Sequence, residues 1–345
     1  MFKVTDKDIC QVLHDYGIQV KSFTFEELER YHYEKDDPKS RQVRLITKVI
    51  LQDDRPLVLR FKNEDDAPQE IMEAQSHFAA LLHSRGIETP MVYASEGFYT
   101  RHYLISGYDV IVTVENYEDG EIKTVDPITA RETGQLLARM HNIAEEADAH
   151  VHSKVLFDPL APNDLFDFDA FVKCEEKLLA IDSELYHAIV QKKEWLTYQI
   201  RYFENELRYA VQGDMSDCNL YRTQDGRLGV FDFNRCGDNN LFFDAVMQAV
   251  FEARLMDYPE ELAEHQEEVI LSSFLKGYHQ VRPFTEEQKG VFSYLYALIS
   301  AFWSGDIKWN EDSLTRAIES GDCSAVREWM EKIYKRELYL LPMPV

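Results

Sequence analysis

The sequence predicts an α+β protein, with a small antiparallel β-sheet in its N-terminal third and a mainly helical remainder. Three observations predict it. Between Val20 and Val114 the apolar residues fall mostly in short runs separated by turn residues, the pattern of strands. From Pro127 onward they recur at three-to-four spacing, the pattern of helices with one buried face. The stretch Val211–Ala245 interrupts that helical pattern, and there two apolar runs flank Asp225-Gly226 as a β-hairpin would.

Taken in order, Thr5 or Asp6 caps a first helix through Ile9, Val12 and Leu13, which Gly17 ends. Strands follow over Val20–Phe25, Gln42–Gln52 and Leu57–Lys62, the last two joined by a turn at Asp53-Asp54. A helix from about Pro68 to Ser84 turns Ile71, Phe78, Leu81 and Leu82 to one face and closes at Gly86. Tyr103–Ile105 and Val110–Val114 read as the closing strands. Pro127 then opens a helix carrying Leu136, Leu137, Met140 and His141. Further helices are expected over Asp164–Ala180, Ser183–Arg208, Asn240–Leu255, Glu260–Gln280, Thr285–Ser304 and Asp322–Leu340.

The chemistry is concentrated between Val211 and Ala245. Gly213-Asp214 stands five positions before Asn219, and the hairpin Leu220–Phe231 returns the chain with Asp232-Phe233-Asn234. A carboxylate, an amide five residues on, and a second carboxylate delivered beside that amide form a set suited to phosphoryl transfer. The first takes a hydroxyl proton, and the other two hold a divalent cation. A calcium loop starting at Asp232 is rejected, because Cys236 occupies a ligand position and Phe243 stands where the bidentate Glu belongs.

Gly213-Asp214 with Asn219, then Phe231-Asp232-Phe233 and Asp244-Ala245, resembles the aminoglycoside phosphotransferase and choline kinase-like family, distant relatives of protein kinases. The resemblance implies a bilobal protein kinase-like fold. Residues 1–114 would form an N-lobe that binds nucleotide, 115–121 a hinge, and 122–345 a helical C-lobe with the catalytic loop and acceptor site. It implies Asp214 as base, Asn219 and Asp232 as Mg2+ ligands, and Asp244 as a buried residue opening a helix. ATP would be the phosphoryl donor and a small-molecule hydroxyl the acceptor: an aminoglycoside, a choline-like amine, homoserine or a sugar. The family's phosphate-binding cation is Arg60 or Lys62, which share one face of a strand. Its helical partner is Glu73, with Glu70 in reserve. Gln212 stands where the family usually has His, and Lys35–Arg41 fills the phosphate loop without a glycine. His141 reads as a core or loop-bracing residue. Tyr294–Trp309, rich in aromatics with Asp306 nearby, reads as core or as an acceptor wall. A protein kinase is disfavoured, since no Arg precedes Asp214 and Asn234 replaces the motif's Gly.

Composition bounds the partners. Of 345 residues, 62 are acidic and 37 basic, for a net charge of −25. That argues against nucleic acid and anionic membranes and is compatible with a cationic acceptor. Five scattered cysteines without a Cys-x-x-Cys pair, and no leader-like or membrane-length apolar run, lead to the expectation of a cytoplasmic protein. The oligomeric state stays open.

Overall fold

Short turns between successive apolar runs leave antiparallel pairing as the natural arrangement, and the computed structural model has it throughout the N-terminal sheet. The structure describes residues 2–31, 42–53, 55–161, 165–215, 219–255 and 266–345. The expected phosphate loop Lys35–Arg41, and Cys218, lie outside them. The chain divides into two compact units, one of residues 1–122, 149–153 and 218–236, the other of 123–148, 154–217 and 237–345.

The first unit holds β1 (Phe23–Tyr31), β2 (Val43–Leu51), β3 (Pro56–Asn63), β4 (Arg101–Ile105) and β5 (Tyr108–Asn116), in the order β1-β2-β3-β5-β4. Alternation along β3 and β5 sorts the side chains. Leu57, Leu59, Phe61, Val110, Val112 and Val114 join Ile9, Val12 and Leu13 of α1 (Asp6–Asp15) in one core. Arg60, Lys62, Thr113 and Glu115 fall to the opposite face. Thr5 caps α1 and forms a reciprocal capping box with Asp8. β1 runs well past its expected end at Phe25. Its second half carries Glu26 and Glu27 exposed and a register shift between Glu27 and Glu29, features of an edge strand that apolar alternation does not flag.

α2 (Gln69–Ser84) buries Met72, Gln75, Phe78, Ala79 and Leu82. The hairpin β7 (Leu220–Arg222) and β8 (Leu228–Val230) forms as expected, with Leu220 opposite Val230. It belongs to this first unit, where Val230 NH donates to Glu88 C=O and Arg222 NH to Gly120 C=O, each at 2.9 Å.

In the second unit, α3 (Pro127–Glu146) starts with Asp126 accepting from Thr129 NH and crosses α7 (Gln266–Val281) closely. A Cβ on Gly134 would meet Phe274 C=O at 2.1 Å, and one on Gly277 would meet Arg131 C=O at 2.0 Å, so both positions require glycine. The expected break between Ala180 and Ser183 falls inside α5 (Glu175–Ile200), where Asp182 leaves helical geometry and accepts from Leu185 NH. Ahead of it stands the short α4 (Phe168–Lys173). Two strands escape apolar counting because each has only three residues. They are β6 (Tyr209–Val211) and β9 (Gly237–Asn239), which pair with each other.

α6 (Leu241–Leu255) is buried almost all round. After α8 (Glu286–Ala301) come α9 (Leu314–Ser320) and α10 (Cys323–Leu338). Tyr296, Phe302 and Trp303 of the aromatic stretch are core, Trp309 is exposed, and Asp306 pairs with Arg336. No helix among the described residues is long and apolar enough to cross a membrane.

Glu337 of α10 is fully buried, and neither carboxyl oxygen has a hydrogen-bond partner. Burial pushes its pKa from 4.5 to about 9, against the pull of Lys192 and Lys193. The folded state then binds a proton that the unfolded state has released, so stability falls as pH rises from about 4.5 to about 9. Glu337→Met removes this penalty. Its thermal midpoint, followed by differential scanning fluorimetry, should match the wild type near pH 4.5 and exceed it increasingly toward pH 9. The gain at pH 7 is on the order of 3 kcal/mol.

Candidate active site

The hairpin returns the chain to its own start. Phe231 NH donates to Asn219 C=O at 3.0 Å, so Asn219 and Asp232 occupy neighbouring positions at one end of it. Asp232 takes a positive φ of 57°, rare for a residue with a side chain. Its Oδ1 accepts from Asn234 NH at 3.0 Å, closing a local turn.

Two cations of β3 meet this turn. Arg60 donates through Nε (2.9 Å) and Nη2 (2.8 Å) to Glu115 Oε1, and its Nη1 lies 3.5 Å from Asp232 Oδ2. Lys62, 3% exposed, donates to Asn234 Oδ1. Burial alone would push the Asp232 carboxyl up, but Arg60, Lys62 and the Asn234 NH together hold it below the usual carboxylate range. Burial lowers Lys62 to about 8, with Asp232 opposing and Arg60 reinforcing the shift. Both expected cations therefore belong to the Asp232 cluster.

Glu73 does not belong to it. Its carboxylate accepts from the NH groups of Tyr99 and Thr100 (2.8 Å each) and the Thr100 hydroxyl (2.6 Å), with His77 at 3.4 Å. The reserve, Glu70, is exposed. The buried face of α2 presents Gln75, two residues on, and Gln75 Nε2 donates to the carbonyls of Asn234 and Cys236, both at 3.1 Å. Consecutive helix positions lie about 100° apart, so residues 73 and 75 face different neighbours. A neutral amide thus pins the turn after Asp232, and the carboxylate partner of the cation comes from β5 as Glu115. Apolar spacing through Met72, Phe78, Ala79 and Leu82 carries the signal that position 75 is the inward one.

Around Arg60 a small pocket is lined by Met72, Gln75, Thr113, Glu115, Phe233 and Asn234. Phe233 packs edge-on against Phe78, with ring centroids 6.1 Å apart. A carboxylate and an amide oxygen are the hard ligands Mg2+ takes, and one or two protein ligands suffice when substrate phosphates complete the octahedron. Among the described residues no group of three or more His, Cys, Asp or Glu is placed to hold a metal.

Asp214 belongs to the second unit, in the loop that leaves β6. It is half-buried, and its NH donates to Gln212 Oε1 at 2.7 Å. The side chain standing where the resembling family has His thus uses its amide on the loop. His141 is buried between Tyr278 and Asp244, and burial lowers its pKa despite the bond to Asp244. It is a bracing residue.

Three solved structures share the fold along nearly the whole chain. They are a microcompartment-associated aminopropanol kinase (TM-score 0.59, 12% identity, covering 96% of this chain and 95% of the other), an amicoumacin kinase in complex with AMP-PNP, Ca2+ and Ami (0.56, 16%, 98% and 97%), and a spectinomycin phosphotransferase in complex with ADP and its antibiotic (0.51, 12%, 97% and 99%). No curated protein matches the chain. The family model described as "Phosphotransferase enzyme family" matches residues 47–284, well over half of the sequence, and the chain belongs to that family.

Proposed function

We propose that the protein moves the γ-phosphoryl group of ATP (or GTP) to a hydroxyl of a small molecule. Among aminoglycosides, choline-like amines, homoserine and sugars, the net charge of −25 favours an acceptor bearing a cationic amine. The observation that carries this reading is the Asp232 cluster, where an ionised carboxylate, the adjacent Asn219, the buried Lys62 and the partly buried Arg60 gather in one unit. Such a set matches what phosphate and its counter-ion require.

In this reading Asn219 and Asp232 hold Mg2+, which when bound neutralises charge on the phosphates. Arg60 and Lys62 steady those phosphates. Asp214 orients the acceptor hydroxyl and takes its proton. The acceptor oxygen bonds to the γ-phosphorus as the bond from that phosphorus to the β–γ bridging oxygen breaks, leaving ADP (or GDP) and a phosphate monoester. Most of the acceleration comes from positioning and charge compensation, since phosphoryl transfer asks little covalent chemistry of the protein. A second reading, a nucleotide-binding or scaffolding protein with little turnover, is favoured by Gln212 and by the amide of Gln75 where a helix carboxylate is usual. Incubating purified protein with Mg-ATP and a panel of amino alcohols, aminoglycosides, homoserine and sugars decides between them by product formation.

Asp214→Asn should lower kcat at least about a thousandfold while leaving nucleotide affinity within about twofold by calorimetry. Equal loss of both would contradict the role given to Asp214. Asp232→Ala should abolish the gain in nucleotide affinity that Mg2+ provides, seen in titrations with and without the metal. Arg60→Met should weaken nucleotide binding about tenfold, the worth of one charge-assisted hydrogen bond. Glu115→Gln should act with the opposite sign, tightening binding by releasing Arg60 from its strand partner. Weaker binding in both variants would show that the pair is structural only.

A further inference from the structure

α6 is apolar around most of its circumference but carries Asp244, Gln248 and Glu252 at successive four-residue steps, which places them in one stripe. All three are buried to 2% or less. Buried polar side chains are mostly hydrogen-bonded, and each of these three has at least one partner. Asp244 Oδ2 accepts from His141 Nε2 at 3.0 Å, and His141 Nδ1 takes the Tyr278 hydroxyl at 2.9 Å. Glu252 Oε1 accepts from the Thr133 hydroxyl at 3.0 Å. Gln248 divides its amide: Nε2 donates to Asp244 Oδ1 at 3.1 Å, while Oε1 accepts from Met215 NH at 2.9 Å.

Met215 directly follows Asp214, whose own NH is taken by Gln212 Oε1. Two consecutive backbone NH groups of this loop are therefore held by two side-chain amides. One amide comes from the residue two positions before Asp214, the other from the middle of α6. Hydrogen-bond direction is consistent along the chain: donors from His141 and Gln248 converge on the Asp244 carboxylate, which leaves the Gln248 oxygen free to receive the loop.

We propose that Gln248 is a positioning residue for Asp214, fixing the loop through Met215 NH and itself fixed by Asp244, His141 and Tyr278. This rests on the reading of Asp214 as the base. Gln248 touches no reacting atom. Its effect is to hold the peptide on the C-terminal side of Asp214 while Gln212 holds the peptide on the other. Misplacement by a fraction of an ångström then costs rate and not nucleotide affinity.

The test uses the full chain and two variants. Gln248→Met keeps the volume and removes the acceptor, while Gln248→Glu, held protonated by burial beside the Asp244 carboxylate, keeps both an acceptor oxygen for Met215 and a donor for Asp244. Amide exchange by mass spectrometry on the peptide spanning residues 211–217, together with kcat and KM for Mg-ATP and acceptor, is measured for all three proteins. In Gln248→Met, exchange at the loop should accelerate about tenfold and kcat fall about tenfold, the loss of one hydrogen bond. Both KM values should stay within about twofold. Gln248→Glu should restore slow exchange and most of kcat. Faster exchange with unchanged kcat, or parallel changes in kcat and KM that Gln248→Glu does not rescue, would overturn the proposal. Should Gln248→Met fail to fold, Gln248→Asn takes its place, since its shorter amide withdraws the acceptor from Met215 NH and must show the same faster exchange and lower kcat. Wild-type protein inactive on every acceptor would refute the proposed function, whereas unchanged exchange in Gln248→Met would refute the tie to Met215 whatever the activity.

Discussion

The sheet unit depends on keeping one carboxylate charged in a half-buried turn. Asp232 sits at positive φ, a conformation that costs a residue with a side chain on the order of 1 kcal/mol. What offsets that cost is the field of Arg60 and Lys62 and the NH of Asn234. Those partners in turn recruit their own supports. Glu115 orients Arg60, Asn234 receives Lys62, and Gln75 clamps the carbonyls of residues 234 and 236. Strands, helix and the turn after the hairpin thus all contribute side chains to the surroundings of a single anion. The hairpin's closing bond from Phe231 to Asn219 sets where that anion stands.

The helical unit solves the opposite problem, which is to carry polar groups through an apolar interior. Along α6 the stripe of Asp244, Gln248 and Glu252 is matched by His141, the loop peptide and Thr133. The close crossing of α3 and α7 at Gly134 and Gly277 brings His141 within reach of Tyr278. A buried polar network of this kind specifies geometry more than it stabilises, because each bond mostly replaces one made to water. Glu337 marks the contrast, since it is buried to the same degree and neither of its carboxyl oxygens has a hydrogen-bond partner.

Much of this was readable in the chain. The α+β order and the hairpin follow from periodicity and spacing, the hairpin's closure brings Asn219 and Asp232 to neighbouring positions, and the break at Asp182 shows in the apolar pattern. The β6–β9 pair was not readable, because three-residue strands carry no period. The latter half of β1 was hidden because an edge strand exposes the glutamates that argue against a strand. Glu73 drew attention by its charge, but helical phase, which turns Gln75 inward, decides the contact. Gln248 was visible only as a polar residue in an apolar helix, since its partner lies 33 positions earlier in sequence and no local rule connects the two.

β1 has a bearing on how copies of this chain meet. A sheet margin with free backbone groups invites another molecule to extend it. Here the outermost strand among the described residues is crooked at Glu27–Glu29 and exposes Glu26 and Glu27, the latter paired with Arg30, on a molecule already strongly anionic. Two such margins repel each other before they can align, so crowded solutions of the protein should not zip into fibrils along this side.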